Sequence, residues 1–189
     1  IGLDEGKRDD LKENSKRLSE LGTRFGKNVL DSTKSFKKVI NYVDIGSDSI
    51  KSIPESALQM WSRSDDPDIR IDPTTGPWTV TLDPPALIAA LKYLPDSKIR
   101  REIYLAYVTR ASTGAVDNEP IINEILERKH VLATKILEKE KFPSYTELSL
   151  ASKMAESVDQ IRDKFSKLYD VAKVKAQDEV DEIHAFARE

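Results

Sequence analysis

Two histidines, His130 and His184, are the only imidazole side chains in this sequence that could bind a metal or transfer a proton. Neither belongs to an H-E-x-x-H motif, in which two histidines on one helical face bind zinc beside a catalytic glutamate. Glu127 and His130 have the Glu-x-x-His spacing that carboxylate-bridged di-iron bundles use twice, but here it occurs once, in a charged run. We interpret that run as a solvated helix face, and His184 as a partly packed side chain near a helix end.

The sequence also lacks the residues that other kinds of catalytic site need. The sequence has no cysteine, no Gly-x-Ser-x-Gly elbow and no glycine-rich phosphate loop. The adjacent carboxylates Asp9–Asp10 and Asp65–Asp66 point apart on a helix or are solvated in a loop. Arg100–Arg101 could bind an anion, although pairing with Glu102 or Asp96 is the simpler expectation. We therefore predict no catalytic, cofactor-binding or metal-binding residue in this chain.

A long amphipathic helix is predicted for the first part of the chain, from about Asp4 to about Tyr42. Its apolar residues recur at steps of three, four or seven, which places them on one face. A helix of about 40 residues would be about 60 Å long, so this face must pack on other helices. The apolar face consists of Leu11, Leu18, Leu21, Phe25, Val29, Phe36 and Ile40.

One β-hairpin is predicted at about residues 69–82. Ile69–Ile71 and Trp78–Leu82 both alternate apolar and polar residues, and a Pro- and Gly-containing turn separates them. A two-stranded sheet is marginal alone, so we expect Trp78, Val80 and Leu82 to lean on helices.

The remaining sequence is predicted to be helical. Three capping boxes mark helix starts, at Ser52 with Glu55, Ser144 with Glu147, and Ser157 with Gln160. Further helices are expected from Asp83 to Leu94 and from Ile99 to about Ala111. Asn118 is expected to cap another helix, whose buried side would contain Ile122, Leu126, Leu132 and Ile136. From Val158 a second long helix carries the stripe Ile161, Phe165, Leu168, Ala172, Ala176, Val180 and Ile183.

Composition is consistent with a mainly α, layered bundle of long helices forming a single unit over residues 1–189. Hydrophobic residues make up 39% and charged residues 33% of 189 residues, with a net charge of −3. That balance lacks the basic surplus of a nucleic-acid-binding protein. The longest apolar run, Ala86–Leu91, is far shorter than the ~20 residues of a membrane span. Because Ile1 is not an initiator residue and the last helix has no stop signal, we expect the parent chain to extend further.

Five sequence runs carry more information than a helical or strand period. They are Leu18–Thr33, Gly76–Pro85, Arg100–Ser112, Asp117–Ile122 and Tyr145–Ser157. In their order and approximate spacing they resemble the thimet oligopeptidase and oligopeptidase A family of zinc metallopeptidases, over nearly the whole chain. Within that family they are most similar to oligopeptidase A of bacteria and of plant or algal organelles.

This resemblance implies the region that precedes the catalytic part of such a peptidase. In the family, the H-E-x-x-H zinc site and the substrate-engaging Tyr and His residues lie further along, so no catalytic role transfers to this chain. Zinc is then a cofactor of the full-length family and not of these residues. Two departures also stand out: Leu137–Tyr145 replaces the family's Leu-Gly-Phe-x-Asn-Tyr turn, and the stretch between Trp61 and Trp78 is rich in Asp.

Two hypotheses follow from different functional classes. In the first, the chain is a non-catalytic pseudoenzyme that acts as a structural or interaction subunit of a larger assembly. Loss of the catalytic half would expose the apolar faces that packed against it, and such faces need a protein partner. In the second, it is a fragment of an active zinc oligopeptidase and forms one wall of a peptide channel. An unrelated helical adaptor would require the motif matches to be chance. The resemblance favours a plastid or mitochondrion over the cytoplasm.

Overall fold

A computed structural model describes residues 3–64, 66, 68–137 and 142–188. The predicted mainly α class is confirmed, since helices dominate and the described strands form one small sheet. The strands are β1 (Lys37–Ile40) and β2 (Trp78–Thr81). The helices are α1 (Glu5–Ser35), α2 (Tyr42–Ile45), α3 (Ser47–Ile50), α4 (Glu55–Trp61), α5 (Pro84–Tyr93), α6 (Ser97–Val108), α7 (Glu119–Val131), α8 (Tyr145–Leu150) and α9 (Val158–Phe186), with a 3-10 turn at Gly114–Val116 and a π-helical turn at Leu132–Ile136.

The chain divides into two compact units. One consists of Arg17–Glu124, and the other of Ile1–Lys16 together with Ile125–Glu189. The sheet and helices α2 to α6 belong to the first unit, whereas α8 and α9 belong to the second. Among the described helices, none combines the length and the apolar character that crossing a membrane requires.

Helix α1 is shorter than the sequence pattern predicts. It ends at Ser35 and not near Tyr42, and Ile40 belongs to strand β1. The hydroxyls of Thr33 and Ser35 donate hydrogen bonds to the carbonyl oxygens of Val29 and Ser32, at 2.7 and 2.9 Å. Such back-bonding favours a helix end, and the β-branched Val39 and Ile40 that follow suit an extended strand.

The predicted hairpin is right in its second strand and wrong in its partner. Strand β2 pairs antiparallel with β1, which places Ile40 opposite Trp78 and Lys38 opposite Val80. Between Asp72 and Gly76 there is only an isolated bridge. The Asp72 carboxylate accepts hydrogen bonds from the backbone N–H and hydroxyl of Thr74, at 2.8 and 2.7 Å, which holds a local turn.

The core of the first unit forms around the inner face of this sheet. Ile40, Trp78 and Val80 have no exposed surface, and Leu82 is buried beside them, as predicted for the residues of β2. Helices α4, α5 and α6 contribute further members of the same buried cluster. That cluster contains Ile40, Ile45, Ile53, Ala57, Leu58, Trp61, Trp78, Val80, Leu82, Ala86, Leu87, Ala90, Leu94 and Ile103.

Two of the three predicted capping boxes mark real helix starts. Ser144 caps α8 by accepting from the backbone N–H of Thr146, and Ser157 caps α9 by accepting from that of Gln160. The box at Ser52 is wrong, because Pro54 occupies the cap position of α4 and the Ser52 hydroxyl donates to the Ser49 carbonyl oxygen.

The predicted buried side of α7 is only partly correct. Ile122 and Leu126 are exposed, whereas Ile121 is buried. Neighbouring residues differ by about 100° around a helix, so a shift of one position changes the face. Ile136 is buried as expected, beside the buried Ala133 in the π-helical turn.

Replacing the fully buried Ile103 by Ala should lower the free energy of unfolding by about 2–5 kcal/mol, because the change removes apolar contacts and leaves a cavity. The matched control is Ile88→Ala on α5, where the side chain is 63% exposed and the same deletion should cost less than about 0.5 kcal/mol. Urea unfolding followed by circular dichroism measures both. Equal losses would contradict the described core.

The cap of α6 provides a pH-dependent test. The Asp96 carboxylate accepts hydrogen bonds from the backbone N–H groups of Ile99 and Lys98, and these bonds lower the pKa of Asp96 below its usual value. A lowered pKa in the folded state stabilises the protein above the usual pKa and ceases to do so as pH falls through the folded value. Asp96→Ala should therefore destabilise the protein at neutral pH, and the difference from wild type should become smaller as pH falls through the lowered pKa of Asp96. Asp96→Asn, which keeps an acceptor without charge, should show a pH-independent difference from the Ala variant.

Candidate functional site

Neither histidine belongs to a cluster of metal-binding groups among the described residues. His130 and Glu127 are exposed on α7, which confirms the solvated face predicted for them. His184 is exposed near the end of α9, so the expectation that it is partly packed is wrong. Within the described residues, no group of three or more His, Asp or Glu side chains is arranged to hold a metal ion.

The charged pairs noted in the sequence have other partners than expected. The Arg100 guanidinium donates to the backbone carbonyl oxygens of Leu94 and Pro95, so it holds the turn before α6. Its charge also helps to lower the pKa of Asp96. Glu102 pairs with Lys38 of β1, with 2.7 Å between Oε2 and Nζ. Asp65 lies outside the described residues.

A buried pair of amide side chains connects α1 with the start of α7. The Asn28 Nδ2 group donates to Asn118 Oδ1 at 2.9 Å, and Asn118 Nδ2 donates to the Phe25 carbonyl oxygen at 3.2 Å. Both asparagines are nearly fully buried. Asn118 directly precedes α7, as predicted for a cap, and its carbonyl oxygen accepts from the Ile122 N–H at 2.9 Å. Its carboxamide, however, bonds to α1, and the carboxylate of Asp117 accepts from the Glu119 N–H at 2.9 Å.

A second contact to α1 comes from the segment that follows α6. The backbone N–H of Ala111 donates to the Ser32 hydroxyl at 3.1 Å, and Ala111 has φ 51°. The Arg110 guanidinium lies 3.8 Å above the Tyr107 ring and donates to the Thr33 hydroxyl at 3.4 Å. A left-handed alanine is unusual, so the surrounding contacts must hold this conformation.

An ion pair adds a third contact along the same helix. Arg17 Nε and Nη2 donate to the two carboxylate oxygens of Glu124 on α7, at 2.7 and 2.8 Å. These hydrogen bonds raise the pKa of Arg17 above its usual value. We call the three contacts together the α1 anchor: Arg17 with Glu124, Asn28 with Asn118, and Ser32–Thr33 with Arg110–Ala111. All of them lie within Arg17–Glu124.

Helix α9 exposes several large apolar side chains. None of its described residues is buried, and even its large apolar side chains are exposed: Phe165 is 64% and Ile183 66% exposed. An open depression of about 940 Å³ lies against its first turns, lined by Met154, Ile161, Phe165 and other residues. Large contiguous apolar surfaces of this kind mark sites where another protein surface packs.

Comparison with known proteins identifies the family. The family model described as peptidase family M3 matches residues 90–189. This chain belongs to peptidase family M3. It is 32% identical to the probable cytosolic oligopeptidase A and to the organellar (chloroplastic/mitochondrial) oligopeptidase A of Arabidopsis thaliana, each alignment covering 100% of this chain and 26% or 23% of the relative. It is 36% identical to oligopeptidase A of Haemophilus influenzae, over 98% of this chain and 26% of that protein.

The chain spans about a quarter of the length of the curated relatives it matches, and it corresponds to an N-terminal region of the family. The sequence runs that carry the resemblance have a structural meaning here. Arg100–Ser112 contains most of α6 and the following Arg110 and Ala111, and Asp117–Ile122 contains Asn118. The family resemblance thus includes residues of the α1 anchor. In the stretch Leu137–Tyr145, where this sequence departs from the family pattern, residues 138–141 lie outside the described residues.

Peptidase family M3 is a family of zinc metallopeptidases. Zinc sites in peptidases use three protein ligands and a base that activates water. His130 and His184 are exposed on different helices, and neither has another histidine one helical turn away. The histidines of this chain therefore do not fit such a site.

The buried amide pair can be tested by a double-mutant cycle. Asn118→Ala should cost about 1–3 kcal/mol of unfolding free energy, because it leaves the buried Asn28 amide and Phe25 carbonyl without their partner. Asn28→Ala should cost a similar amount, and the double variant should cost less than the sum by about 0.5–3 kcal/mol.

The matched control is Asn123→Ala, since Asn123 is exposed on α7. Its effect should lie within about 0.5 kcal/mol of zero. Urea unfolding of the four variants and wild type supplies the values. Strict additivity of the two buried substitutions would refute the pairing.

Proposed function

We propose that this chain is the non-catalytic helical part of an oligopeptidase A-like zinc peptidase. It takes part in the hydrolysis of short peptides only together with a catalytic region that supplies the zinc ligands. The observation that carries the proposal is the end-to-end match to oligopeptidases that are about four times as long. The 189 residues themselves contain no H-E-x-x-H motif.

The described structure is compatible with a supporting role of this kind. The α1 anchor and the buried cluster give Arg17–Glu124 an interior of its own. Helix α9, in contrast, has an apolar side that nothing in the described chain covers. We assign to the first unit the role of a rigid helical wall, and to α9 that of a surface for further protein.

A second candidate function is a stand-alone interaction subunit of a larger assembly, without peptidase activity. The exposed side of α9 favours it, because a soluble protein rarely leaves such a surface uncovered. Under this proposal the protein partner replaces the packing that a catalytic region would supply.

The relatives do not decide the compartment. One Arabidopsis relative is named as cytosolic and the other as chloroplastic/mitochondrial, and both are 32% identical to this chain. A plastid or mitochondrial location remains our proposal, on the strength of the oligopeptidase A-like motifs alone.

The purified 189-residue chain should not hydrolyse an internally quenched short peptide, with or without added zinc, because it lacks the ligand triad and base that the reaction needs. The control is a full-length oligopeptidase A assayed on the same peptide, which should be active and lose activity on chelation. Zinc-dependent turnover by this chain would overturn the proposal.

The intact mass of the native protein then separates the two candidates. A denatured mass about four times 21.3 kDa, as expected if the chain is 23–26% of its protein, supports the peptidase region. A denatured mass near 21.3 kDa supports the stand-alone subunit.

A further inference from the structure

We draw no further inference here: the strongest candidate, the exposed apolar side of helix α9 together with the open depression that Met154, Ile161 and Phe165 line at its first turns, carries none, because nothing that the structure describes shows what covers this surface.

Discussion

The antiparallel pairing of β1 with β2 joins two parts of the chain that are about 40 residues apart, and the interior of Arg17–Glu124 depends on it. The pairing puts Ile40 opposite Trp78 on a face with no exposed surface. Closing such a loop costs conformational entropy that grows slowly with its length. That cost is offset by the burial of these two residues and of the apolar side chains of the helices that pack on the same face. The α1 anchor then holds the long first helix to α6 and α7 through polar contacts.

Local signals in the sequence predict most of the helices. Ser144 and Ser157 mark the starts of α8 and α9, since a hydroxyl that accepts from the next turn is a short-range interaction. The partner of Trp78–Thr81 could not be predicted in the same way. Lys37–Ile40 has only four residues, and its apolar members continue the helical spacing of α1. Pairing with residues 38–44 positions away makes Lys37–Ile40 a strand and not a helix, and no local sequence pattern indicates that pairing.

The polar contacts of the first unit could not be predicted from the sequence pattern either. Asn28 lies inside a long helix, where its polarity fits an exposed position as well as a buried one, and its partner is 90 residues away. The exposed faces of Glu127 and His130 were predictable, because a charged run on a helix favours solvent. The family could be inferred from the motif runs, and those runs contain Arg110, Ala111 and Asn118, whose contacts connect α1 with the segment after α6 and with the start of α7.

The exposure of α9 has a thermal consequence. A helix with none of its residues buried gains little from tertiary packing, so it depends on its Ser157 cap and on exposed i,i+4 ion pairs such as Lys167 with Asp163. Each such pair contributes only a few tenths of a kcal/mol and weakens in salt. In an isolated copy, α9 therefore melts gradually and non-cooperatively, as a long peptide does, while Arg17–Glu124 unfolds in one sharp transition. The placement of the apolar side chains thus gives the thermal unfolding of one short chain a gradual component and a sharp one.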